Sequence, residues 1–196
     1  YLHLQNHKLI LNGRTWSTPE NNRLTFTEKG PDFQNFSIRR SNKSLSLESG
    51  NEQSRVNVLF NNFKLQALLS IFNAKEPLLG GLVNGNLKLL EVNDNSAFTA
   101  DVQIDSLSSM NHLLGRLELN AENTSATDYR GRLNIKGPEL GLTVQGNFST
   151  AGESPSLEAN LALKRLELTL IQKFSPENIQ QASGYLKGDI DFNGPT

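Results

Sequence analysis

Apolar and polar residues alternate along most of this chain. The alternation is clear at Phe98, Ala100, Val102 and Ile104, where every intervening residue is polar. A period of two places successive side chains on opposite faces of a β-strand, so that one face is apolar. Similar segments recur at a spacing of about ten residues, with turn-prone sequences such as Asn93-Asp94-Asn95 between them. We therefore predict an all-β, mainly antiparallel fold.

Two short segments break this alternation. Residues 63–72 carry Phe63, Ala67 and Ile71 at helical spacing, and residues 165–174 carry apolar residues in the same way. We predict a short α-helix in each segment. Because each segment is too apolar to stand alone in water, we expect each helix to cover one opening of the sheet.

The chain also contains an internal repeat. A segment with glycines at Gly81 and Gly85 recurs 103 residues later at Gly184 and Gly188, and apolar residues upstream recur at the same offset. Self-similarity at a fixed spacing is typical of repeat architectures, which present elongated surfaces. The predicted parts are residues 1–23, a partial strand region of a preceding repeat, residues 24–130, a first repeat, and residues 131–196, a second and incomplete repeat.

Glycine inside a strand needs a physical reason, because it weakens the strand. We expect the four repeat glycines to mark bulges, bends or places where another backbone comes close. The simpler alternative is that they only end the strands.

Composition excludes some classes of function. The 196 residues carry a formal net charge of −1 and no cysteine. Without a basic field the chain has no electrostatic attraction for nucleic acid, and without cysteine it has neither disulfides nor thiolate metal sites. Apolar residues make up 36% of the chain. This is below the usual level of about 45–50%, even allowing for the glycine that this level includes, and fits sheets that are apolar on one face only.

The polar residues form no recognisable catalytic or metal site. His3, His7 and His112 are too scattered to supply a set of metal ligands. Asp189 and Asp191 share one strand face, where we expect solvent rather than the pocket that a catalytic carboxylate pair needs. We therefore predict a protein that is not an enzyme, with no cofactor and no bound metal.

The apolar face itself is the best candidate site. In a β-sandwich two such faces fill each other, whereas in an open, curled sheet one face lines a groove for an apolar ligand. Periodicity fits both arrangements, so the β-sandwich stays open as the alternative. The predicted groove residues are Val56, Val58, Phe60, Leu87, Leu89, Phe98, Ala100, Val102, Ile104, Leu117, Leu119, Leu133, Ile135, Leu142, Val144, Phe148, Leu161, Leu163, Ile190 and Phe192.

The second glycine-rich segment resembles a recurrent motif of the AsmA-like family, the TamB proteins in particular. That segment reads Ala182-Ser183-Gly184-Tyr185-Leu186-Lys187-Gly188-Asp189-Ile190-Asp191-Phe192-Asn193-Gly194-Pro195-Thr196. The resemblance extends over roughly residues 24–196. It implies a β-taco, an elongated U-shaped sheet with an apolar concave face.

The same resemblance implies a location and partners. It places this chain in the periplasm, as part of a longer protein that is anchored elsewhere along its length in the inner membrane of a Gram-negative bacterium. The family is linked to phospholipid transport between inner and outer membranes. It is also linked to outer-membrane protein assembly with a TamA-type barrel partner.

We therefore expect a hydrophobic groove that carries phospholipid acyl chains. The alternative is a chaperone-like groove, or a free sheet edge, that holds nascent outer-membrane β-barrel proteins. A third interpretation is a filled, adhesin-like module with no apolar ligand. The ligand distinguishes the three, because it would be phospholipid, captured peptide or none.

Overall fold

The structure is a computed structural model that describes residues 1–6, 8–11, 13–28, 30–50, 55–71, 78–90, 97–175 and 181–195. Within these ranges the chain forms fourteen strands and two short helices. The strands are β1 Leu9–Leu11, β2 Arg14–Trp16, β3 Arg23–Thr27, β4 Gly30–Gln34, β5 Phe36–Arg40, β6 Lys43–Ser49, β7 Arg55–Lys64, β8 Leu79–Leu90, β9 Ala97–Ser109, β10 His112–Asn123, β11 Asp128–Lys136, β12 Leu140–Ser149, β13 Ser156–Glu167 and β14 Tyr185–Pro195. The helices are α1 Leu65–Ile71 and α2 Leu168–Phe174.

Ten of the strands, β5 to β14, form one antiparallel sheet in which every strand pairs with its neighbours in sequence. The other four strands form two hairpins, β1–β2 and β3–β4. The predicted all-β, mainly antiparallel fold with two short helices is confirmed. The described strands form one long meander with two added hairpins, rather than the two facing sheets of the sandwich alternative.

Both predicted helices exist, but each begins later than predicted. The sequence placed their starts at residues 63 and 165, whereas α1 begins at Leu65 and α2 at Leu168. Strand pairing continues past the predicted starts, because Phe63 pairs with Val83 and Leu166 pairs with Leu186. Residue 72, the predicted end of the first helix, lies outside the described residues.

The internal repeat is visible in the backbone. The helices α1 and α2 begin and end 103 residues apart, at the offset of the glycine motifs. The strand before each helix carries a register shift at equivalent positions, between Phe60 and Phe63 in β7 and between Leu163 and Leu166 in β13. The predicted boundary at 130/131 falls inside β11, and the sheet continues through it.

The two helices lie at the same end of the long sheet. β7 leads into α1 and β13 leads into α2, and an even number of antiparallel steps separates these strands, so they run in the same direction. We expected each helix to cover an opening of its own. Instead both lie at one end, and no described helix covers the other end.

The buried core lies over the β5–β9 part of the sheet, beneath α1 and the first hairpin. It consists of Trp16, Ile38, Leu45, Phe63, Leu65, Ala67, Val83 and Leu107. The rings of Trp16 and Phe63 are 5.1 Å apart, and both side chains are almost completely buried. No described residue of β12, β13 or β14 belongs to this cluster or packs against it. The core is therefore confined to one part of the sheet.

The two edges of the long sheet also differ. At the β5 edge, Ser17 and Arg39 form a β-bridge with two backbone hydrogen bonds of 2.8 and 2.9 Å. At the other edge, β14 pairs with β13 on one side only, within the described part of the chain.

Candidate functional site

The register of the long sheet aligns apolar residues in rows that run across the strands. Directly opposed residues in an antiparallel pair lie on the same face of the sheet. One row, which we call the central row, crosses all ten strands. It consists of Ile38, Leu45, Phe60, Gly85, Val102, Leu119, Leu133, Val144, Leu161 and Ile190.

Three further rows lie on the same face, at spacings of two residues along the strands except at the register shift of β7, where Phe63 follows Phe60 by three. The helix-side row is Phe63, Val83, Ile104, Leu117, Ile135, Leu142 and Leu163. The small-residue row is Phe36, Leu47, Val58, Leu87, Ala100, Ala121, Gly131, Gly146, Ala159 and Phe192. The aromatic row is Val56, Leu89, Phe98, Tyr129, Phe148 and Leu157, and it is interrupted in β10 by the polar Asn123, which pairs with Tyr129. All the predicted groove residues belong to these four rows.

The rows are long on the scale of a lipid. Neighbouring strands are about 4.8 Å apart, so a row across ten strands extends for roughly 43 Å. This exceeds the thickness of a bilayer's hydrocarbon core, which is roughly 30 Å. An extended acyl chain would fit along part of one row.

One part of this apolar face is covered by the chain itself. The predicted groove residues that pack against the buried cluster are Val58, Phe60, Val102, Ile104, Leu117 and Ile135. The cover consists of α1, through Leu65 and Ala67, and of Trp16 from the first hairpin. Val56 is also buried. The six residues are themselves only partly buried, and what distinguishes this part of the face is that they pack against the buried cluster.

The other part of the face is only partly covered. Leu119, Leu133, Val144 and Leu161 of the central row are half-buried and do not pack against the cluster. At the β14 edge Ile190 and Phe192 are 52% and 50% exposed. The remaining predicted groove residues outside the cluster are half-buried, namely Leu87, Leu89, Phe98, Ala100, Leu142, Phe148 and Leu163.

Helix α2 touches this second part only at the helix end of the sheet. Leu170 is buried, and the ring of Phe174 meets the ring of His112 edge-on at 5.8 Å. Lys173 donates to both carboxylate oxygens of Glu139 at 2.7 and 2.8 Å, in the connection between β11 and β12. Buried Leu170, the Phe174–His112 ring contact and the Lys173–Glu139 ion pair thus all contribute to holding the helix against the sheet.

Aromatic rings mark the far end of the apolar face. Phe98 stacks on Tyr129 at 6.2 Å, and Tyr129 lies 6.0 Å from Phe148. Tyr129 was absent from the predicted groove residues. The alternation of Tyr129, Gly131, Leu133 and Ile135 is the signal that could have found it.

The opposite face carries polar residues and forms a trough of about 830 Å³. It is lined by the positions of the small-residue row from Ala100 to Phe192, whose side chains belong to the apolar face, and by the polar residues on either side of them, whose side chains belong to this face. Within the described ranges, no residue of the central or aromatic rows lines the trough, which places it on the polar face. The wall residues are Thr99, Asp101, Asn120, Glu122, Arg130, Arg132, Gln145, Asn147, Glu158, Asn160, Asp191 and Asn193. Sequence reasoning treated these positions only as a solvated face.

Hydrogen bonds and ion pairs connect the polar side chains of this face. Asn120 donates to Asp101 at 3.1 Å, and Asn160 donates to Asp191 at 2.9 Å. Lys136 forms an ion pair with Glu118 at 2.8 Å, and this hydrogen bond is the main reason why the pKa of Glu118 is lowered. Lys136 thus stabilises the charged form of the Glu118 carboxylate.

At the β10–β11 turn, Asp128 accepts hydrogen bonds from the hydroxyl groups of Ser125 and Ser149. These bonds, with that of Ser125 as the largest contribution, lower the pKa of Asp128. The turn is therefore built around a charged carboxylate.

The histidines lie apart from one another. The Nδ1 atom of His3 is 2.8 Å from the carbonyl oxygen of Asn22, His112 contacts Phe174, and His7 lies outside the described residues. Within the described ranges, no three histidine, cysteine or acidic side chains come together as a metal site would require. The helices described for this chain are also too short to span a membrane.

Comparisons of this chain with protein-family models, with curated proteins and with solved structures found no match. The resemblance to the AsmA-like family therefore rests on the sequence motif alone.

Proposed function

We propose that this chain is a segment of a TamB-like periplasmic protein whose apolar face holds phospholipid acyl chains between inner and outer membranes. The central row carries the proposal, because its apolar side chains continue from the filled part of the face into a part that the core does not cover. An apolar ligand can therefore lie against Leu133, Val144 and Leu161.

The energetic argument is the usual one for apolar burial. Removing a large aliphatic side chain completely from water is worth ~1.5–3 kcal/mol. The side chains of β10–β13 are half-buried, and Ile190 and Phe192 of β14 are half exposed. Part of this burial free energy is therefore not yet realised in the chain alone. An acyl chain along the row would bury the remaining exposed apolar surface of several strands at once. No catalysis and no cofactor is needed.

The test places a charge on each face in turn. Val144→Asp puts a carboxylate into the central row, and Gln145→Asp puts one on the polar face at the next position. The probe is a fluorescent phosphatidylethanolamine supplied from mixed phospholipid vesicles. We expect Val144→Asp to abolish lipid capture and Gln145→Asp to leave it unchanged, because a charge in an apolar contact is costly.

A second variant guards against loss of folding. Ile190→Asp changes a side chain that is already half exposed, so the fold is retained while the end of the row becomes charged. Circular dichroism would confirm that each variant folds. Equal lipid capture by the wild type, Val144→Asp and Ile190→Asp would contradict the proposal. Mass spectra that show captured peptide instead of phospholipid would favour the chaperone-like alternative.

A further inference from the structure

We propose that the helix end of the long sheet docks on the surface of an anionic membrane, with the β9–β10 turn inserted among the lipid headgroups. This inference concerns the ends of the strands, so it does not depend on the proposed binding of acyl chains to the apolar face. It rests on where exposed apolar side chains and charges lie along the strands, and on the residue at one turn position.

Four large apolar residues are exposed together at the helix end, and we call them the apolar tip. Leu78 precedes β8, Leu79 begins it, Met110 lies in the β9–β10 turn, and Leu113 lies at the start of β10. Each is 40% exposed or more. The amide of Met110 donates to the carbonyl oxygen of Leu78 at 3.1 Å, which keeps the two segments together. β8, β9 and β10 are each paired on both sides, so this exposure does not come from an unpaired edge.

The opposite end of the sheet has no such group. Among the described residues of β5–β13, the exposed large apolar side chains all belong to the apolar tip. The turns at the opposite end, residues 124–127 and 150–155, consist of small and polar residues. Because exposed apolar patches mark contacts with proteins or membranes, the apolar tip is a contact site at the helix end only.

Methionine at position 110 has no local explanation. Met110 and Asn111 form a two-residue turn between the paired Ser109 and His112, with φ angles of +47° and +66°. Such turns favour glycine, asparagine or aspartate at both positions, because other side chains are strained at positive φ. Asn111 follows this rule, whereas Met110 does not and is half exposed. Insertion into a membrane surface gives the methionine side chain the apolar environment that the chain does not provide.

The charges at the helix end favour an anionic partner. The described cations that lie on the helix side of the central row in β5–β13, or in α2, are Arg39, Arg40, Lys43, Lys64, Arg116, Lys136, Lys164, Arg165 and Lys173. The described anions in the same region and its turns are Asp105, Glu118, Glu139 and Glu167. Each of these anions forms an ion pair with one of the cations. The remaining cations are therefore in excess.

Beyond the central row the excess has the opposite sign. The described anions there are Glu48, Asp101, Glu122, Asp128, Glu153 and Glu158, and the described cations are Arg55, Lys88, Arg130 and Arg132. The formal net charge of −1 thus hides an unequal distribution between the two ends. Apolar side chains combined with excess cations are the composition that binds anionic lipid surfaces.

The distance between the apolar tip and the nearest cations suits a membrane surface. Lys64 pairs with Leu82, and Lys136 pairs with Arg116. Leu82 and Arg116 each lie three residues from the apolar tip, which corresponds to roughly 10 Å of strand. Amphipathic helices at a membrane surface bury their apolar part by about 5–10 Å. When the apolar tip is inserted to this depth, the cations lie at the level of the headgroups.

Co-flotation of the full chain with vesicles tests the docking. One kind of vesicle contains phosphatidylcholine alone, and the other also contains phosphatidylglycerol. We expect binding to the anionic vesicles at low salt, about tenfold weaker binding to the neutral vesicles, and loss of binding as the salt concentration rises. Val144→Asp should dock as the wild type does, which separates docking from lipid capture on the apolar face.

Matched variants separate the apolar tip from non-specific adhesion. Met110→Gly combined with Leu113→Ser should weaken binding about tenfold or more, whereas glycine suits the turn and preserves the fold. Phe26→Ser removes a largely exposed apolar side chain outside the long sheet, so binding should not change. Lys64→Gln should weaken binding about fivefold, whereas Lys88→Gln, beyond the central row, should leave it unchanged.

Three results would overturn the proposal. The first is equal binding to the neutral and the anionic vesicles, and the second is equal binding by the wild type and the Met110→Gly/Leu113→Ser variant. The third is the absence of vesicle binding, because the apolar tip would then have no affinity for a lipid surface.

Discussion

The two copies of the repeat fold in the same way and are buried in different ways. β7–α1–β8 and β13–α2–β14 share their register shift, the position of their helix and their glycines. Yet Val83 is 2% exposed, whereas its counterpart Leu186 is 47% exposed. The first copy lies inside the sheet beside the core, and the second lies at the edge.

This difference separates the effect of local sequence from the effect of neighbouring elements. Local sequence decides where a strand shifts register and where a helix begins, because both copies do so at the same offset. Neighbours decide how deeply the resulting side chains are buried. Within the described residues, the second copy has no counterpart of the contacts that the first makes with Trp16 and β9.

The largest expected effect comes from truncating the first copy. Phe63→Ala should lower the free energy of unfolding by about 3–5 kcal/mol, because Phe63 is completely buried against Trp16. The equivalent change in the second copy, Leu166→Ala, should cost about 1–2 kcal/mol, since Leu166 is only half-buried. Urea unfolding followed by far-UV circular dichroism measures both. Equal losses would show that the two copies are equally packed.

The glycines should show the next largest contrast. Gly85→Ala should destabilise the chain by about 2–3 kcal/mol, because its φ is +116° and its Cβ would collide with the backbone of Asp101. Gly188→Ala should change stability by less than about 0.5 kcal/mol, since it meets open space. Thermal unfolding of the two variants measures this contrast. A large loss in Gly188→Ala would contradict the open surroundings of that position.

The smallest effect concerns how each helix is held. α1 is held by buried apolar residues, whereas the Lys173–Glu139 ion pair helps to hold α2, with both side chains partly exposed. Lys173→Ala should therefore cost about 0.5 kcal/mol, and 1 M salt should remove most of that difference. A double-mutant cycle with Glu139→Ala measures the pair itself. A coupling that salt leaves unchanged would contradict this account of α2.

The sequence alone predicted the strands, the helices and the apolar face to different extents. Period-two alternation is a local property, so it placed Phe60 and Ile190 each on the apolar face of its own strand. The strand register shows that both residues belong to one row. Alternation could not show that Val102 packs against the buried cluster and Val144 does not, because that cluster includes Trp16 and residues of α1, which are remote in sequence. Helical spacing placed α1 and α2 two to three residues too early, because strand pairing with β8 and β14 extends past Phe63 and Leu166.

The repeated motif predicted that the glycines have a structural role, but it did not predict which role each glycine has. Gly85 fulfils the expected close approach of another backbone, and Gly188 with the same motif does not within the described structure. The two positions differ because the backbone of β9 lies beside Gly85, whereas no described atom lies within 4 Å of a Cβ at Gly188. Such neighbours are not encoded in a local pattern. The polar trough was missed for the same reason, because it arises from the alignment of polar side chains on six neighbouring strands.

The most direct measurement of the central claim is a photo-crosslinking scan along β13. A photoreactive amino acid is placed in turn at residues 157–163, the purified chain is incubated with phospholipid vesicles, and adducts are identified by mass spectrometry. We predict phospholipid adducts at Leu157, Ala159, Leu161 and Leu163, which face the apolar rows, and none at Glu158, Asn160 and Ala162. Adducts that ignore this alternation, or that never form at the apolar positions, would contradict the account.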